Sequence, residues 1–288
     1  MPKQKLVYIW SLRNAAADKA GQLIAYKAER RYMKSPLEYL AGVLDTTELG
    51  DRYALQGVIF DDDESLPTDR EKLREYGFCC SPGRPWLYPA DLTVQGRRLN
   101  DLLISIPSRY RRHPKHSNER VRGKAEFEAN VLQKLVQLEA DLVVLDGLLV
   151  ILEDLATAGN PFDRKIVNIH PGITRLQSPY ERRGAYATLD ALYGARGIRI
   201  VNWETMESRP VPPSFMTGAS VHYVDTGIDS GEVIVDVLNT RIEPTDTIHE
   251  LRWNNFNNSL FPALYQGLMA MAQPRSRVGE AEPTVAAM

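Results

Sequence analysis

Apolar runs alternate with amphipathic stretches along the first 170 residues. Lys5–Trp10 (KLVYIW) is nearly continuous in its apolar character, the pattern of a strand covered on both faces. Asn14 can cap a helix that follows, reaching about Met33. Gly57–Phe60 is a second apolar run and ends in Asp61-Asp62-Asp63-Glu64. Thr68 and Glu71 then stand at capping-box spacing for another helix. Leu102–Ile106 (LLISI) reads as a third strand. A helix is expected around Glu119–Leu138, with Phe127, Val131, Leu132, Leu135 and Leu138 on one side. Leu142–Leu145 and Ile166–Ile169 complete the series. Strands separated by helices imply right-handed crossovers and a mostly parallel sheet flanked by helices, an α/β, Rossmann-like fold.

Beyond His170 the pattern changes. Ala185–Tyr193 has the spacing of a short helix, and Ile198–Val201, Ser220–Val224 and Val233–Val237 read as strands with turn-rich joins. Thr247 and Glu250 form a second capping-box pair, opening a long apolar helix to about Ala272. The expected organisation is one domain over residues 1–272 with a carboxyl-terminal strand-and-helix extension, followed by an aperiodic, flexible tail over 273–288.

Composition narrows the function classes. A net charge of −2 gives no general field for nucleic acid or an anionic membrane. No apolar run is long enough to span a bilayer, and Met1–Trp10 lacks the features of a secretory signal. The two cysteines, adjacent at Cys79 and Cys80, fit neither a disulfide framework nor a zinc site. The expectation is a cytoplasmic protein with small-molecule substrates, no nucleic-acid or membrane partner and no metal.

Two segments carry candidate chemistry. In Val167-Asn168-Ile169-His170-Pro171, residues two apart share a face, so Asn168 and His170 project together. Pro171 cannot donate to a ladder and ends the strand at the carboxyl edge of the sheet, where ligands of open α/β sheets bind. An amide and an imidazole aimed at one point suit an oxyanion. Alone, the same residues also suit a structural histidine at a strand end. In His222–Ile234 (HYVDTGIDSGEVI) a strand enters a glycine-containing loop and returns; alone, Asp229 there could be a turn aspartate bonding its own backbone.

Together, in order, Asn-Ile-His-Pro, a His-x-Val segment and Asp-x-Gly before another strand resemble the hallmark of the folate-dependent formyltransferases. The helix and strand leading to Asp146-Gly147-Leu148-Leu149-Val150-Ile151-Leu152 are also similar to that family, and the likeness runs from about Gly123 to Ile234. The resemblance implies the formyltransferase fold and N10-formyltetrahydrofolate as co-substrate. It implies Asn168, His170 and Asp229 as the catalytic trio. The pterin would then be gripped mainly by backbone around Leu148, Leu149, Val150, Ile151 and Leu152, and around Val224, Asp225, Gly227 and Ile228.

Family members of the purine pathway cradle a substrate phosphate in a Gly-Asn-Gly-Ser-Asn-type loop after the first strand. Here that place reads Trp10-Ser11-Leu12-Arg13-Asn14, with no glycine to admit a phosphate to the backbone. Members that formylate initiator tRNA carry a further β-domain, for which too few residues follow Asp229. The opening KLVYIWSLRNAAAD, the segment YMKSPLEYL and extra material near Arg175–Arg183 and Asn202–Met216 are instead similar to the branch that formylates N5-hydroxyornithine for pyoverdine siderophore assembly. An amino-acid acceptor needs a cation for its carboxylate; Arg13 is the expected clamp, with Ser11 and Asn14 beside it. A solvated surface arginine is the alternative for Arg13. Rival readings are a formyltransferase acting on glycinamide ribonucleotide or a nucleotide amino-sugar, and a non-catalytic α/β binding module. Asp61–Glu64 reads as a solvated acidic loop or an ammonium site. The basic Arg109–Lys124 reads as a cover for the folate glutamate tail or a solvated loop.

Overall fold

A computed structural model of the chain describes residues 2–63, 65–78, 88, 91–148 and 150–272. Seven strands form the central sheet: β1 Gln4–Trp10, β2 Tyr53–Phe60, β3 Leu103–Ser105, β4 Leu142–Asp146, β5 Ile166–His170, β6 Met216–Tyr223 and β7 Val233–Arg241. Their order across the sheet is β7-β6-β5-β4-β1-β2-β3. The five strands from β5 to β3 are parallel, and β6 runs antiparallel to both of its neighbours, β5 and β7. The chain moves outward from β1 through β2 and β3, then returns to the other side of β1 as β4. That reversal leaves a crevice beyond the carboxyl ends of β1 and β4, the usual ligand position in such sheets.

Alternation along the strands divides the core into two layers. Tyr8, Val144, Val167 and Ile169 face the larger layer, packed under α2 (Pro36–Thr46), α6 (Ile248–Asn255) and α7 (Phe261–Ala272). Val7, Ile9, Val143, Leu145 and Ile166 face the smaller one, against Phe127, Val131 and Leu135 of α4 (Asn118–Gln137). Each of those three side chains contributes at most about 1.5–3 kcal/mol of transfer free energy. They recur at intervals of four on one face of α4, which is why the periodicity was legible.

Several boundaries differ from the sequence reading. The helix expected from Asn14 to Met33 is only α1, Leu12–Ala17, with Ser11 at the N-cap position but no capping bond from its side chain. A hairpin of Leu23–Tyr26 and Glu29–Tyr32 replaces the rest. Lys19, Gly21 and Lys27 all have positive φ there, so the helix cannot continue. α3 spans Pro67–Arg74 with Leu66 at its N-cap, so Thr68 lies inside the helix and caps nothing. Ser35 and Glu38 form a capping box on α2. The Thr247–Glu250 box does open α6, and a π-helical turn, Phe256–Leu260, separates it from α7. α5 spans Ala187–Ala195. Ile198–Asn202 pairs with Glu207–Pro210 in a separate two-stranded sheet. Cys79, Cys80 and the 273–288 tail lie outside the described residues. Among the described residues no helix is long and apolar enough to cross a membrane.

Candidate active site

β5 ends at the cleft, and its alternation turns Asn168 to the same face as Ile166, the face of the smaller core layer. His222 on β6 stands opposite Asn168 in register. Asp229 comes from the loop between β6 and β7 and adopts φ 48°, a left-handed conformation that aspartate tolerates better than most residues. These three side chains and His170, at the end of β5, form one connected network. Asn168 Nδ2 donates to Asp229 Oδ1 at 3.0 Å. Asp229 Oδ2 accepts from the Gly184 backbone N–H at 2.7 Å and lies 3.2 Å from His170 Nδ1. His170 Nε2 is 3.1 Å from the Arg182 carbonyl. His222 Nδ1 lies 2.8 Å from the Tyr223 carbonyl, which can only accept, so that nitrogen carries the proton. His222 Nε2 lies 3.3 Å from Asn168 Nδ2 and 3.5 Å from Asp229 Oδ1.

The electrostatics follow from burial and these contacts. Burial pushes the Asp229 carboxyl up. The His222 hydrogen bond, the His170 ring and the Gly184 N–H together outweigh that and hold it well below the usual carboxylate range. His170 goes the other way. Burial lowers its pKa below the ordinary 6.5, against the pull of Asp229. Only an imidazolium could donate to Asp229 and the Arg182 carbonyl together, so the pull of these acceptors opposes the cost of burial.

This has a consequence for stability. The unfolded chain takes up a proton near pH 6.5 while folded His170 resists it, so the stability present above that pH is lost as pH falls through the depressed folded value. The melting temperature is expected to drop on going from pH 7 toward pH 5. The drop should be shallower in His170→Gln; equal slopes in calorimetry would show that other groups set the acid limb.

The site opens into a cleft of about 430 Å³. On the side of the smaller core layer its walls include Leu148, Val150, Ile151, Val224, Asp225, Gly227 and Ile228, the segments read from sequence as folate loops. Leu152 is fully buried in that core layer and does not line the cleft. Leu149 lies outside the described residues. The opposite side is formed by Asn14, Asp18, Asp146, Arg252, Phe256 and Leu260. Gly147 has φ 59°, and its carbonyl accepts from the Asn14 side chain, joining the loop after β1 to the loop after β4.

The acceptor clamp expected at Arg13 is not at the cleft. Arg13 Nε lies 2.8 Å from Asp62, and its terminal nitrogens lie 3.1 Å from Asp61 and 3.6 Å from Asp69. Asp62 also accepts the Leu12 and Arg13 backbone N–H groups. Ser11 is buried, and its carbonyl accepts from Asn14 N–H at 3.1 Å. The described part of the acidic run after β2 is therefore neither solvated nor an ammonium site, and Glu64 lies outside the described residues. Asp61, Asp62 and Asp63 are buried, and Arg109, Arg111 and Arg112 of the basic segment pair with Asp61 and Asp63. Burial and the neighbouring Asp61 push the Asp62 carboxyl up to about 7, with Arg13 opposing. Arg13→Ala leaves three carboxylates without their shared cation, so a loss of roughly 3 kcal/mol or more of stability is expected. That corresponds to a fall of roughly 6 °C or more in Tm. Acceptor KM at a temperature where the variant is folded should be unchanged; a raised KM with unaltered Tm would return Arg13 to the binding site.

Sequence reasoning missed His222, Gly184, Asp18, Asp146 and Arg252 as cleft residues. His222 stood in the quoted motif, opposite a strand whose alternation was already known. Asp146 ends an apolar run at the carboxyl edge of a parallel strand, a position that marks ligand sites. Asp18 and Arg252 carry no local signal, because they come from opposite ends of the chain. Among the described residues, no group of three or more His, Cys, Asp or Glu could hold a metal ion.

A switch-point α/β sheet with an Asn, His and Asp network at a strand end defines an acyl-transfer type of site. Residues 92–263 match the family model described as Formyl transferase, and the chain belongs to that family. Among solved structures it is similar to PvdF of pyoverdin biosynthesis, described as a structurally unique N10-formyltetrahydrofolate-dependent formyltransferase. The two are 62% identical, with a TM-score of 0.87, over 95% of this chain and 100% of that one. A phosphoribosylglycinamide formyltransferase of Anaplasma phagocytophilum shares the fold at 16% identity and a TM-score of 0.53, over 94% of this chain and 88% of that one. The Bacillus subtilis (strain 168) phosphoribosylglycinamide formyltransferase is 26% identical over 153 residues, which span 52% of this chain and 64% of that enzyme's length.

Proposed function

We propose that this protein transfers the formyl group of N10-formyltetrahydrofolate to the side-chain hydroxylamine nitrogen of N5-hydroxyornithine. The product is a hydroxamate for siderophore assembly, made in the cytoplasm by a single catalytic unit over residues 1–272. The observation that carries the reaction type is the Asn168–Asp229–His170 network at the end of β5, facing a cleft of about 430 Å³ with apolar loops on one side. That volume is ordinary for a small-molecule or co-substrate site. The donor is supported by the 62% identity to an N10-formyltetrahydrofolate-dependent enzyme of pyoverdin biosynthesis, and the acceptor by the sequence resemblance to the hydroxyornithine branch.

In this reading the acceptor nitrogen adds its lone pair to the formyl carbon, and the C=O π pair moves onto oxygen. Asn168 Nδ2 turns the N–H that faces His222 toward that oxyanion, and the His170 ring turns to it the edge that faces the Arg182 carbonyl. Asp229 holds both groups and helps pass the acceptor's proton toward the departing folate nitrogen as its bond to the formyl carbon breaks. The test is release of tetrahydrofolate by the purified protein, given the formyl donor and a panel of amine and hydroxylamine acceptors. Turnover with N5-hydroxyornithine is expected. No turnover with any acceptor would leave a binding module.

A further inference from the structure

We propose that the end of the cleft bounded by Asp146, Asp18 and Arg252 seats the amino-acid end of the acceptor, Asp146 taking its α-ammonium and Arg252 its α-carboxylate. The inference rests on the reading above, in which the acceptor is a free amino acid.

The two faces of the sheet separate the two ends of the cleft. Asn168 and the apolar loops stand on the face of the smaller core layer. Asp146 lies two residues beyond Val144 and bonds Tyr8, both of the larger layer, and Phe256 and Leu260 close the cleft from that same layer. Asp146 is also in register with Ile169, which sits between Asn168 and His170. A ligand held by its charged end at Asp146 therefore reaches the reacting network across one residue of β5. A flexible aliphatic side chain ending in a nucleophilic nitrogen fits that path, and a phosphate does not, since two carboxylates line it.

The charges at this end alternate. Arg252 Nε lies 2.9 Å from Asp18 Oδ1, and its Nη1 donates to the Ala17 carbonyl at 2.8 Å. The guanidinium is thus already oriented toward α1 and needs little ordering to receive a carboxylate. Its helix is also anchored. The Thr247–Glu250 box starts α6, Glu250 accepts the Lys27 N–H at 2.6 Å, and Arg31 lies over the rings of both Tyr26 and Trp253, at 3.7 and 4.3 Å. The hairpin that replaced the expected long helix therefore has a purpose: it clamps the element that carries Arg252. Asp146 Oδ2 accepts the Tyr8 hydroxyl at 2.6 Å, and burial pushes its carboxyl up to about 7. An ammonium arriving beside it favours the ionised form and gains a charge-assisted contact.

The experiment compares three acceptors by tetrahydrofolate release: N5-hydroxyornithine, its decarboxylated analogue (an N-hydroxylated butanediamine) and its deaminated analogue. Wild type is expected to prefer hydroxyornithine over both, on the order of tenfold or more in kcat/KM, since each analogue forfeits one charge-assisted contact. Arg252→Gln should raise the KM for hydroxyornithine and erase the preference over the decarboxylated analogue only. Asp146→Asn should erase the preference over the deaminated analogue only, and the KM for the formyl donor should stay near wild type in both. A wild type that treats the three alike overturns the assignment, as does an unchanged preference in Arg252→Gln. Should that variant fail to fold, Arg252→Lys, which keeps the charge without the planar fork, should narrow the preference over the decarboxylated analogue without erasing it, and the wild-type panel still decides. Absence of turnover with all three fails the formyltransferase reading itself, which is a distinct result.

Discussion

Asp229→Asn and His170→Ala are each expected to lower turnover by roughly a hundredfold or more, the size of a lost proton-transfer or oxyanion group. The geometry gives the reason for Asp229. Its carboxylate faces donors on three sides: Asn168 Nδ2, the Gly184 N–H and the His170 ring. An asparagine offers one acceptor oxygen and an NH₂ that must point at one of those donors. At least one contact is lost, and either Asn168 or His170 is released from its aim. His170→Ala removes a ring that is buried and held at both nitrogens. Binding of the formyl donor should change much less in either variant, because the loops across the cleft are apolar and offer backbone for recognition. Steady-state kinetics with a separate binding titration check this. Near-normal turnover would remove that residue from the mechanism, and a parallel loss of donor binding would show a collapsed cleft instead.

The second large effect is discrimination between acceptors. N5-hydroxyornithine is expected to be formylated far faster than ornithine, and glycinamide ribonucleotide not at all. The ornithine side-chain ammonium resembles lysine, with a pKa of about 10.4, so at neutral pH almost none of it carries a free lone pair. The base available here is weak, since His170 has a lowered pKa and Asp229 lies well below the usual carboxylate range. Neither group can strip a strongly held proton from an alkyl ammonium. A hydroxylamine nitrogen is less basic because of its neighbouring oxygen, and arrives largely neutral. Its hydroxyl also gives the cleft a donor and acceptor to recognise. The ribonucleotide is excluded on other grounds. The chain enters α1 directly after β1, with no glycine loop, and the cleft there presents Asp18 and Asp146 to an incoming phosphate. Parallel assays with the three acceptors decide this; equal rates for ornithine and its hydroxylated form would refute the siderophore assignment and leave the formyltransferase reading standing.

Much of the fold could be read along the chain because its signals are local. Five parallel strands followed from short apolar runs, α4 from apolar residues at intervals of three and four, and the start of α6 from Thr247 and Glu250. The trio was legible for a related reason: Asn168 and His170 share a face by strand alternation, and Asp229 sits in a turn with a recognisable motif. What sequence reasoning got wrong lay where backbone conformation or distant charge decides. Positive φ at Lys19, Gly21 and Lys27 ends α1 early and allows a hairpin, although the residues themselves could continue a helix.

Arg13 shows the limit most clearly. Its position after β1 was read correctly, but a guanidinium goes to the densest buried negative charge within reach. That charge is Asp61, Asp62 and Asp69, brought beside it by the pairing of β1 with β2. Other long-range contacts gather Asp18 from the end of α1, Asp146 from β4 and Arg252 from α6 at one end of the cleft. The sequence by itself determined the five parallel strands and the shared face of Asn168 and His170, because each depends on residues close together in the chain, and Asp229 was found only through a family motif. Which charges line the cleft was decided only by the tertiary structure, because electrostatic pairing depends on distance in space, and the sheet order sets that distance.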